Sequence, residues 1–234
     1  MDRAEFDKFA NEYRSLHQTN IAVTGEPPEY FAEYKIKDFA RLIGTTPMMT
    51  RQGRLLDFGS GVGTSVRFVR RYLPKVRLTC ADISMESLKL GVGQFEGEAE
   101  FVATDGLRLP FPDSTFDWVF TACVFHHVPH NEHHLLASEL KRVLRPTGII
   151  MIYEHNPLNP LTVRAVNACP FDENARLIRP QSLRRTLAGA GFARTRICFR
   201  VFFPRALRHL RILEQWLEWL PLGAQYYVCG VKES

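Results

Sequence analysis

The chain has 234 residues, of which 45% are hydrophobic and 24% are charged, a balance typical of one globular domain with appendages. It contains no run of about 18 apolar residues, which argues against a membrane-spanning helix. The charged N-terminus lacks the apolar core of a signal peptide. The five cysteines are scattered and odd in number, which favours reduced thiols of a cytoplasmic protein over disulfides or a metal site.

Charge is distributed unevenly along the sequence. From His155 onward there are 12 Lys or Arg against 5 Asp or Glu, while the whole chain has a net charge of +5. A basic C-terminal part is compatible with an anionic substrate, an anionic lipid surface or nucleic acid. A solvated face without a partner is the alternative.

Two helices are predicted before the first strand, over residues 3–18 and 27–44, separated by a Gly-Glu-Pro-Pro break. In the second helix, apolar residues recur near helical spacing with charged residues between them. They are Phe31, Tyr34, Ile36, Phe39, Leu42 and Ile43. We therefore expect an N-terminal helical cap over residues 1–45, followed by a second domain over residues 46–234.

The stretch 54–64 combines a short apolar strand, a glycine-rich turn and the start of a helix over residues 64–72. Glycines tolerate positive φ and let the backbone lie against a ligand, and the free N–H groups at the helix start point to the same place. This arrangement predicts a nucleotide-type ligand at the carboxyl edge of a sheet. The candidate binding residues are Asp57, Gly59, Ser60, Gly61, Gly63 and Thr64.

The glycine spacing separates the ligand classes. A dinucleotide fingerprint requires a glycine where this chain has Thr64, and a phosphate-binding loop requires a Gly-Lys-Ser/Thr ending that this turn lacks. The sequence LLDFGSGVGT instead resembles the first motif of the class I S-adenosylmethionine-dependent methyltransferases. That resemblance implies that the turn holds the methionine and ribose parts of S-adenosylmethionine. An ordinary glycine-rich turn is the alternative.

The same resemblance gives the N-terminal cap a role, because this family places such a cap over the cofactor. It implies that Tyr13 and Tyr30 cover the adenosine or line the acceptor pocket, and that Lys35 pairs with the methionine carboxylate. Packing of the cap against the sheet is the alternative for each of these side chains.

The second predicted strand, over residues 76–81, ends at Asp82. A carboxylate at this position can accept hydrogen bonds from both hydroxyls of a ribose. Asp82, with Ile83 beside it, resembles the second motif of the family. Capping of the next helix is the alternative for Asp82, although Ser84 is placed to do that.

A third short strand is predicted over residues 100–103 and is followed by Thr104, Asp105 and Gly106. The family commonly places an acidic residue and neighbouring backbone here, against the adenine amino group. The resemblance therefore implies that Asp105 and Gly106 bind the cofactor. An exposed loop aspartate is the alternative.

The sequence from Phe111 to Val128 resembles the fourth motif of the family, in which a strand, here over residues 118–124, ends beside the methyl donor. The backbone near Ala122 would then meet the methionine amino group. An amphipathic helix is predicted over residues 132–144, ended by the segment 145–148. Its inner face is expected to contain Leu135, Leu136, Leu140, Val143 and Leu144. An apolar strand over residues 149–153 follows.

The C-terminal part is expected to cover the acceptor site with a long proline-containing segment that ends near residue 179. A helix over residues 181–190 and strands over residues 194–203 and 225–232 follow. Between these strands, residues 205–220 have an apolar side of Leu207, Leu210, Leu213, Trp216, Leu217 and Leu220 opposite three arginines and a histidine. This pattern predicts a helix that either packs on the sheet or lies on a membrane surface.

Together these elements predict an α/β fold. We expect a Rossmann-like, seven-stranded, mostly parallel sheet with an antiparallel last strand, helices on both faces and an N-terminal helical cap. The family resemblance is close over about residues 50–155, the cofactor half, and loose over the substrate-covering part from residue 155 to the end.

Methyl transfer is an in-line displacement, so the protein mainly positions the reactants and excludes water. A hydroxyl acceptor would also need a general base, for which histidine has a suitable pKa. Candidates just beyond the fourth and fifth strands are His126, His127, Glu154 and His155, each of which could instead be structural.

His130, His133 and His134 are expected to face solvent. No metal is expected, because no Cys or carboxylate lies at ligand spacing from them.

The sequence therefore predicts an S-adenosylmethionine-dependent methyltransferase that acts on a small molecule, on an oxygen of a sugar, lipid-linked or polyketide-like compound. RNA or protein methylation is one alternative, although no basic-aromatic module is evident and nucleic acid is not expected as a partner. A non-catalytic domain that binds the cofactor or a partner is another. Peripheral membrane contact is left open, as is the choice between monomer and homodimer.

Overall fold

The structure is a computed structural model that describes residues 7, 24–44, 52–169 and 174–233. The strands are β1 (Arg54–Phe58), β2 (Arg77–Asp82), β3 (Glu100–Ala103), β4 (Phe116–Ala122), β5 (Leu144–His155), β6 (Phe192–Arg200) and β7 (Gln225–Lys232). The α-helices are α1 (Pro28–Gly44), α2 (Val66–Tyr72), α3 (Met85–Gln94), α4 (His133–Val143), α5 (Pro160–Asn167) and α6 (Pro180–Gly189). 3₁₀ helices cover Phe125–His127, His130–Glu132 and Arg205–Trp216. The predicted boundary at residues 45 and 46 lies outside the described residues, as does almost all of the predicted first helix.

The strands form one seven-stranded sheet in the order β3-β2-β1-β4-β5-β7-β6. The first five strands in this order are parallel to one another, and β7 is antiparallel to both β5 and β6. The predicted fold class is therefore confirmed, including the antiparallel last strand. The strand order reverses between β1 and β4, and open α/β sheets bind ligands at such a point, beyond the carboxyl ends of the strands.

Alternate residues of the central strands face two separate apolar cores. Leu55 in β1 and Trp118 in β4 belong to the core that α1 and α2 cover. Their neighbours Leu56 and Val119 belong to the core that α4 and α6 cover. This alternation of period two is the geometry of a strand that is buried on both faces. It explains why the central strands are almost entirely buried.

The helix α1 is fixed to the sheet by apolar packing and by a buried ion pair. The side chains of Ile36, Phe39 and Ile43 are buried in the first core. Arg200 at the end of β6 donates to both oxygens of Asp38, from Nε at 2.7 Å and from Nη2 at 2.6 Å. The hydroxyl of Tyr153 in β5 donates to the same carboxylate. These contacts join α1 to two strands of the sheet.

The prediction that His133 faces solvent is wrong, whereas His130 and His134 are exposed as expected. His133 is only 4% exposed, and its Nε2 lies 2.9 Å from the carbonyl oxygens of both Phe125 and Val128. The ring therefore connects α4 to the loop after β4, because a buried imidazole needs a hydrogen-bond partner.

Two further expectations around α4 are also wrong. Leu135 is 56% exposed instead of packed, since the helix starts at His133 and turns its buried side toward Leu136, Leu140 and Val143. The segment 145–148 belongs to β5 instead of ending the helix as a turn. Arg145 stabilises this irregular strand start through contacts of Nη1, at 2.9 Å, with both carboxylate oxygens of Asp117.

The C-terminal part departs further from the sequence prediction. The helix α5, within the proline-containing segment for which no helix was predicted, begins at Pro160 after the N-cap Asn159, which accepts from Leu161 N and Thr162 N. Residues 205–216 form a 3₁₀ helix, which places side chains three residues apart in one line. Its leucines are exposed and Glu214 is buried, so the expected apolar packing on the sheet is not observed.

Candidate active site

A cleft of about 610 Å³ lies at the carboxyl ends of β1, β2, β4 and β5. The first two turns of α1 form one wall, and α5 with the segment 201–204 forms another. One end of the cleft is formed by the glycine turn and acidic side chains, while the other is lined mainly by apolar side chains and histidines. The cleft therefore offers a polar compartment next to an apolar one.

The glycine turn meets the cleft at Gly59 and Gly61 but not at Gly63. All three have positive φ, at 73°, 54° and 78°. A Cβ on Gly59 would lie 2.2 Å from the Val124 side chain, and a Cβ on Gly61 would meet nothing within 4 Å. A Cβ on Gly63 would instead lie 3.2 Å from Phe101. Gly61 thus leaves open space at the cleft, whereas Gly63 allows close packing against β3.

Asp82 holds this turn in place from the end of β2. Its Oδ2 accepts from Gly61 N at 2.7 Å and its Oδ1 accepts from Ser84 N at 2.9 Å. Burial raises the pKa of this carboxyl, and the hydrogen bonds from Ser84 and Gly61 oppose that rise. Ser84 caps α3 by accepting from Ser87 N at 3.1 Å, as the sequence predicts. Asp82 and Ile83 both line the cleft, where each Asp82 oxygen keeps further acceptor capacity.

Asp57 lies below the turn and also lines the cleft. It is 4% exposed, and the Ser65 hydroxyl donates to its Oδ2. The pKa of Asp57 is raised to about 7, mainly by burial and further by the negative charge of Asp82. The hydrogen bond from Ser65 and the positive charge of Lys35 lower the pKa and so limit this rise. A positive ligand group near this carboxyl would favour its ionised form. Ser60 and Thr64 line the same part of the cleft.

Asp105 does not line the cleft, although its neighbours Thr104 and Gly106 do. The Asp105 side chain is exposed, and its Oδ1 accepts from Leu107 N at 2.9 Å and from Arg108 N at 2.6 Å. Its carboxylate therefore stabilises its own turn, which is the alternative that the sequence left open. Thr104 and Gly106 line the cleft in its place.

Glu154 is fully buried behind the cleft and organises the loop after β4. Its carboxylate accepts from Phe125 N at 2.8 Å and Val124 N at 3.2 Å, and lies 2.6 Å from His126 Nδ1. Burial by itself would raise the pKa of Glu154, but the adjacent His126 more than offsets this and the pKa is lowered. Glu154 is therefore an ionised positioning group that orients His126, and it does not reach the cleft.

Three histidine rings meet where β4 and β5 end. His126, His127 and His155 all line the cleft. The ring centroid of His126 lies 4.2 Å from that of His127 and 5.3 Å from that of His155. The His126 ring is oriented by Glu154, while the other two rings are more exposed. The sequence-predicted proton acceptors are thus brought together, next to Ala122, which also lines the cleft.

Cys123 is a site residue for which the sequence predicts only a reduced thiol. It has a φ of 60° and lines the cleft, and Lys35 Nζ lies 3.3 Å from its Sγ. Burial by itself would raise the pKa of this thiol, but His155 and Lys35 lower it to about 6. The sequence signal available was its position directly after Ala122. Lys35 lies at the cleft as expected, with its ammonium beside the sulfur.

The apolar compartment is the part of the site that the sequence defines least. Leu161 and Val166 from α5 line it together with Phe202 and Phe203 from the loop after β6. Tyr30 lies at the same end, with the Arg211 guanidinium 4.5 Å from its ring centroid. Tyr13 lies outside the described residues.

Within the described ranges, no group of three or more His, Cys, Asp or Glu is placed to hold a metal ion. The same ranges contain no helix long and apolar enough to cross a membrane. The residues at the cleft are instead suited to an organic ligand with hydroxyl, amino and carboxylate groups. Carboxylates, backbone N–H groups and Lys35 supply complementary partners for such groups.

Comparison with known proteins agrees with this site. Residues 56–152 match a family model described as a methyltransferase domain. The ubiquinone/menaquinone biosynthesis C-methyltransferase UbiE of Pseudomonas putida strain GB-1 is 35% identical over 125 residues, which cover 50% of this chain and 48% of that protein. The chain therefore spans about half the length of the curated relatives it matches.

Solved structures show the same fold. A SAM-dependent methyltransferase from Thermotoga maritima has a TM-score of 0.68 at 17% identity and covers 99% of both chains. A methyltransferase from Haloferax volcanii, solved in complex with the activator Trm112, has a TM-score of 0.67 at 18% identity and covers 98% of both chains. The conclusion is that residues 56–152 match the methyltransferase domain family, and that the chain has the fold of solved SAM-dependent methyltransferases.

Proposed function

We propose that this protein transfers the methyl group of S-adenosylmethionine to a hydroxylated, largely apolar small molecule. The observation that carries the proposal is the division of one cleft into a polar glycine-turn end and an apolar end, with three histidines between them. The cofactor fits the polar end, because Gly61 leaves space there and Asp82 presents a buried carboxylate beside it.

In this proposal Asp82 accepts hydrogen bonds from the ribose hydroxyls, Asp57 faces the methionine amino group and Lys35 pairs with the methionine carboxylate. The backbone at Gly59, Gly61 and Ala122 lies against the same ligand. Bound S-adenosylmethionine supplies an electrophilic methyl group on a sulfonium. The apolar walls exclude water from the reacting groups, which strengthens electrostatic interactions there.

The apolar lining favours a polyketide-like or lipid-linked acceptor over a sugar. A sugar presents a hydroxyl on nearly every carbon, and each would need a polar partner when buried. Phe202, Phe203 and Val166 supply none from their side chains. The Thr162 hydroxyl and the Arg211 guanidinium line the same cleft but already donate to Ala224 O and Glu26. Gln225 is 7% exposed at this cleft, and its side-chain oxygen has no hydrogen-bond partner among the described residues. This oxygen can accept one hydrogen bond from an acceptor hydroxyl.

His127 or His155 would accept the proton of that hydroxyl, because both line the cleft and both rings lie beside the ring of His126. His126 itself is held by Glu154. Replacing the general base should lower kcat by about 10²–10⁴-fold. It should leave cofactor affinity unchanged, so His127→Gln and His155→Gln, compared separately, identify it.

Carbon methylation is a second candidate, favoured by the 35% identity to UbiE proteins, whose name describes C-methyltransferases. Deprotonating a ring hydroxyl makes the neighbouring ring carbon nucleophilic, so the same histidine can serve either reaction.

The test is incubation with S-adenosylmethionine and a panel of phenols that carry apolar chains, with glycosides as the comparison. Mass spectrometry would count the methyl groups added, and NMR of the product would distinguish an O-methyl from a C-methyl group. Methylation of glycosides but not of phenols would contradict the proposed acceptor class.

A further inference from the structure

The segment 205–222 presents a line of apolar side chains to solvent. Within it, every third residue from 207 onward is Leu or Trp. The 3₁₀ helix is kinked at Leu207, where φ is −107° and ψ is 23°. Beyond this kink, three residues per turn place Leu210, Leu213 and Trp216 on one side. We call these side chains the apolar ridge: Leu207, Leu210, Leu213, Trp216, Trp219 and Leu222, which are 40–73% exposed. A contiguous exposed apolar surface of this kind marks an interaction site, unlike single exposed leucines.

Two carboxylates, the buried Glu214 and the partly exposed Glu218, fix the ridge in its outward orientation. Glu214 is 4% exposed, and its Oε1 accepts from Phe202 N at 2.9 Å and Phe203 N at 3.3 Å. Glu218 forms ion pairs with two arginines of β6, at 2.7 Å and 3.2 Å. Because the polar row of the segment is tied to the protein, the apolar row faces solvent.

The exposed charges around the ridge are positive. Arg205 and Arg208 are exposed on the same segment, and Arg164 is exposed on α5. Both acidic residues of the segment, Glu214 and Glu218, are used internally. A tryptophan-containing apolar surface flanked by arginines has the chemistry of a helix that lies in the interface of an anionic bilayer.

The ridge also continues to the mouth of the cleft. Asn159 Nδ2 donates to the carbonyl of Leu222 at 2.7 Å, which joins the ridge to the start of α5. Leu161 on α5 is 73% exposed and also lines the cleft.

We infer that the apolar ridge docks on the surface of an anionic lipid bilayer. A second copy of the chain is a poorer occupant, because its ridge has the same arginines and both acidic residues of the segment, Glu214 and Glu218, already pair within the protein. Docking would place the mouth of the cleft at the bilayer, where a lipid-soluble acceptor could enter without crossing water. That delivery step rests on the proposed function, whereas docking itself does not.

Tryptophan fluorescence tests docking directly. The chain has three tryptophans, and Trp118 is 1% exposed in the core, so an emission change reports Trp216 and Trp219. Addition of vesicles with equal parts of phosphatidylglycerol and phosphatidylcholine should shift the emission to the blue. Brominated lipid tails should quench it. Binding should weaken by about tenfold or more with phosphatidylcholine alone and at high salt.

Matched variants locate the surface. Leu210→Ser with Leu213→Ser keeps both reporter tryptophans and should reduce vesicle binding by about tenfold or more. Arg205→Gln with Arg208→Gln should remove the preference for anionic lipid. Leu90→Ser with Leu135→Ser changes residues that are similarly exposed, at 41% and 56%, on α3 and α4, and should change nothing.

No vesicle binding, or an equal loss in the control, would overturn the inference. A dimer in ultracentrifugation that the ridge variant dissociates, without any vesicle binding, would overturn it in favour of self-association. Each variant is also titrated with S-adenosylhomocysteine, which shows that it is folded. Normal vesicle binding without affinity for S-adenosylhomocysteine would contradict the proposed function and leave docking intact.

Discussion

Asp82 connects the glycine turn to the second strand through two backbone hydrogen bonds, and it still faces the cleft. Asp82→Ala would release Gly61 N and remove the proposed ribose acceptor. Loss of a hydrogen bond to a charged group costs about 1.5–3 kcal/mol, so affinity for S-adenosylmethionine should fall roughly ten- to a hundredfold in calorimetric titration.

Asp105→Ala is the matched control, because this aspartate is exposed and binds only the backbone of its own turn. Its affinity for S-adenosylmethionine should equal that of the unchanged protein. A loss as large as that of Asp82→Ala would show that Asp105 contacts the cofactor, as the family resemblance implies.

Cys123 should react as a thiolate at neutral pH. Its pKa is lowered to about 6 by His155 and Lys35, so its alkylation by iodoacetamide should rise with pH with a midpoint near pH 6 and level off about one unit higher. Lys35→Met should move this midpoint upward, and S-adenosylmethionine should protect the thiol. Cys123→Ser is the control for the other four cysteines. A midpoint near the ordinary thiol pKa of about 8.5 would contradict the placement of Lys35 and His155 beside this thiol.

At this scale the sequence predicts the residues whose positions follow from a strand end, such as Asp82 and the histidines after β4. It does not predict side-chain direction. Asp105 follows a strand in the same way, yet its carboxylate accepts hydrogen bonds from the backbone of its own turn and does not face the cleft. Cys123 becomes notable only because α1 brings Lys35, 88 residues earlier, beside it.

Among the secondary-structure elements, the Asp38–Arg200 pair that joins α1 to β6 is the most consequential buried interaction. Both side chains are buried, and removing Arg200 leaves the Asp38 carboxylate buried with only the largely exposed Arg41, at 3.8 Å, as a charged partner among the described residues. Arg200→Met should therefore lower the free energy of unfolding by about 3–5 kcal/mol, measured by urea denaturation. Adding Asp38→Leu should recover part of that loss, because no buried charge then lacks a partner.

Arg196→Ala on the same strand is the comparison for this pair. Arg196 is 65% exposed where it pairs with Glu218, and exposed pairs contribute about 0–1 kcal/mol. Equal effects of Arg196→Ala and Arg200→Met would mean that the buried pair does not hold α1.

Strands were predictable where an apolar run ends at a turn, and the bounds of β3 and β7 agree with the sequence prediction. The structure of the segment 205–220 was not predictable, because its apolar residues fit both a period of 3.6 residues and a period of three. Burial of Glu214 and the ion pairs of Glu218 decide which row faces inward. The helix α5 had a readable start in Asn159 and Pro160, but it is too short for a periodic pattern.

For the whole molecule, the cleft joins elements from both ends of the chain, so ligand binding should stabilise all of it. At about 100 times Kd, S-adenosylmethionine should contribute about 2.7 kcal/mol. A chain of this size should then gain roughly 5–10 °C in Tm. The same concentration of NAD should leave Tm unchanged, and an equal rise with NAD would argue for a general nucleotide site.

Calorimetric titration of the purified protein with S-adenosylhomocysteine, with NAD as the comparison, tests the cofactor site most directly. We expect micromolar binding of S-adenosylhomocysteine at one site per chain and no heat from NAD. Absence of binding, or equal binding of NAD, would contradict the assignment of the glycine turn and Asp82 as an S-adenosylmethionine site.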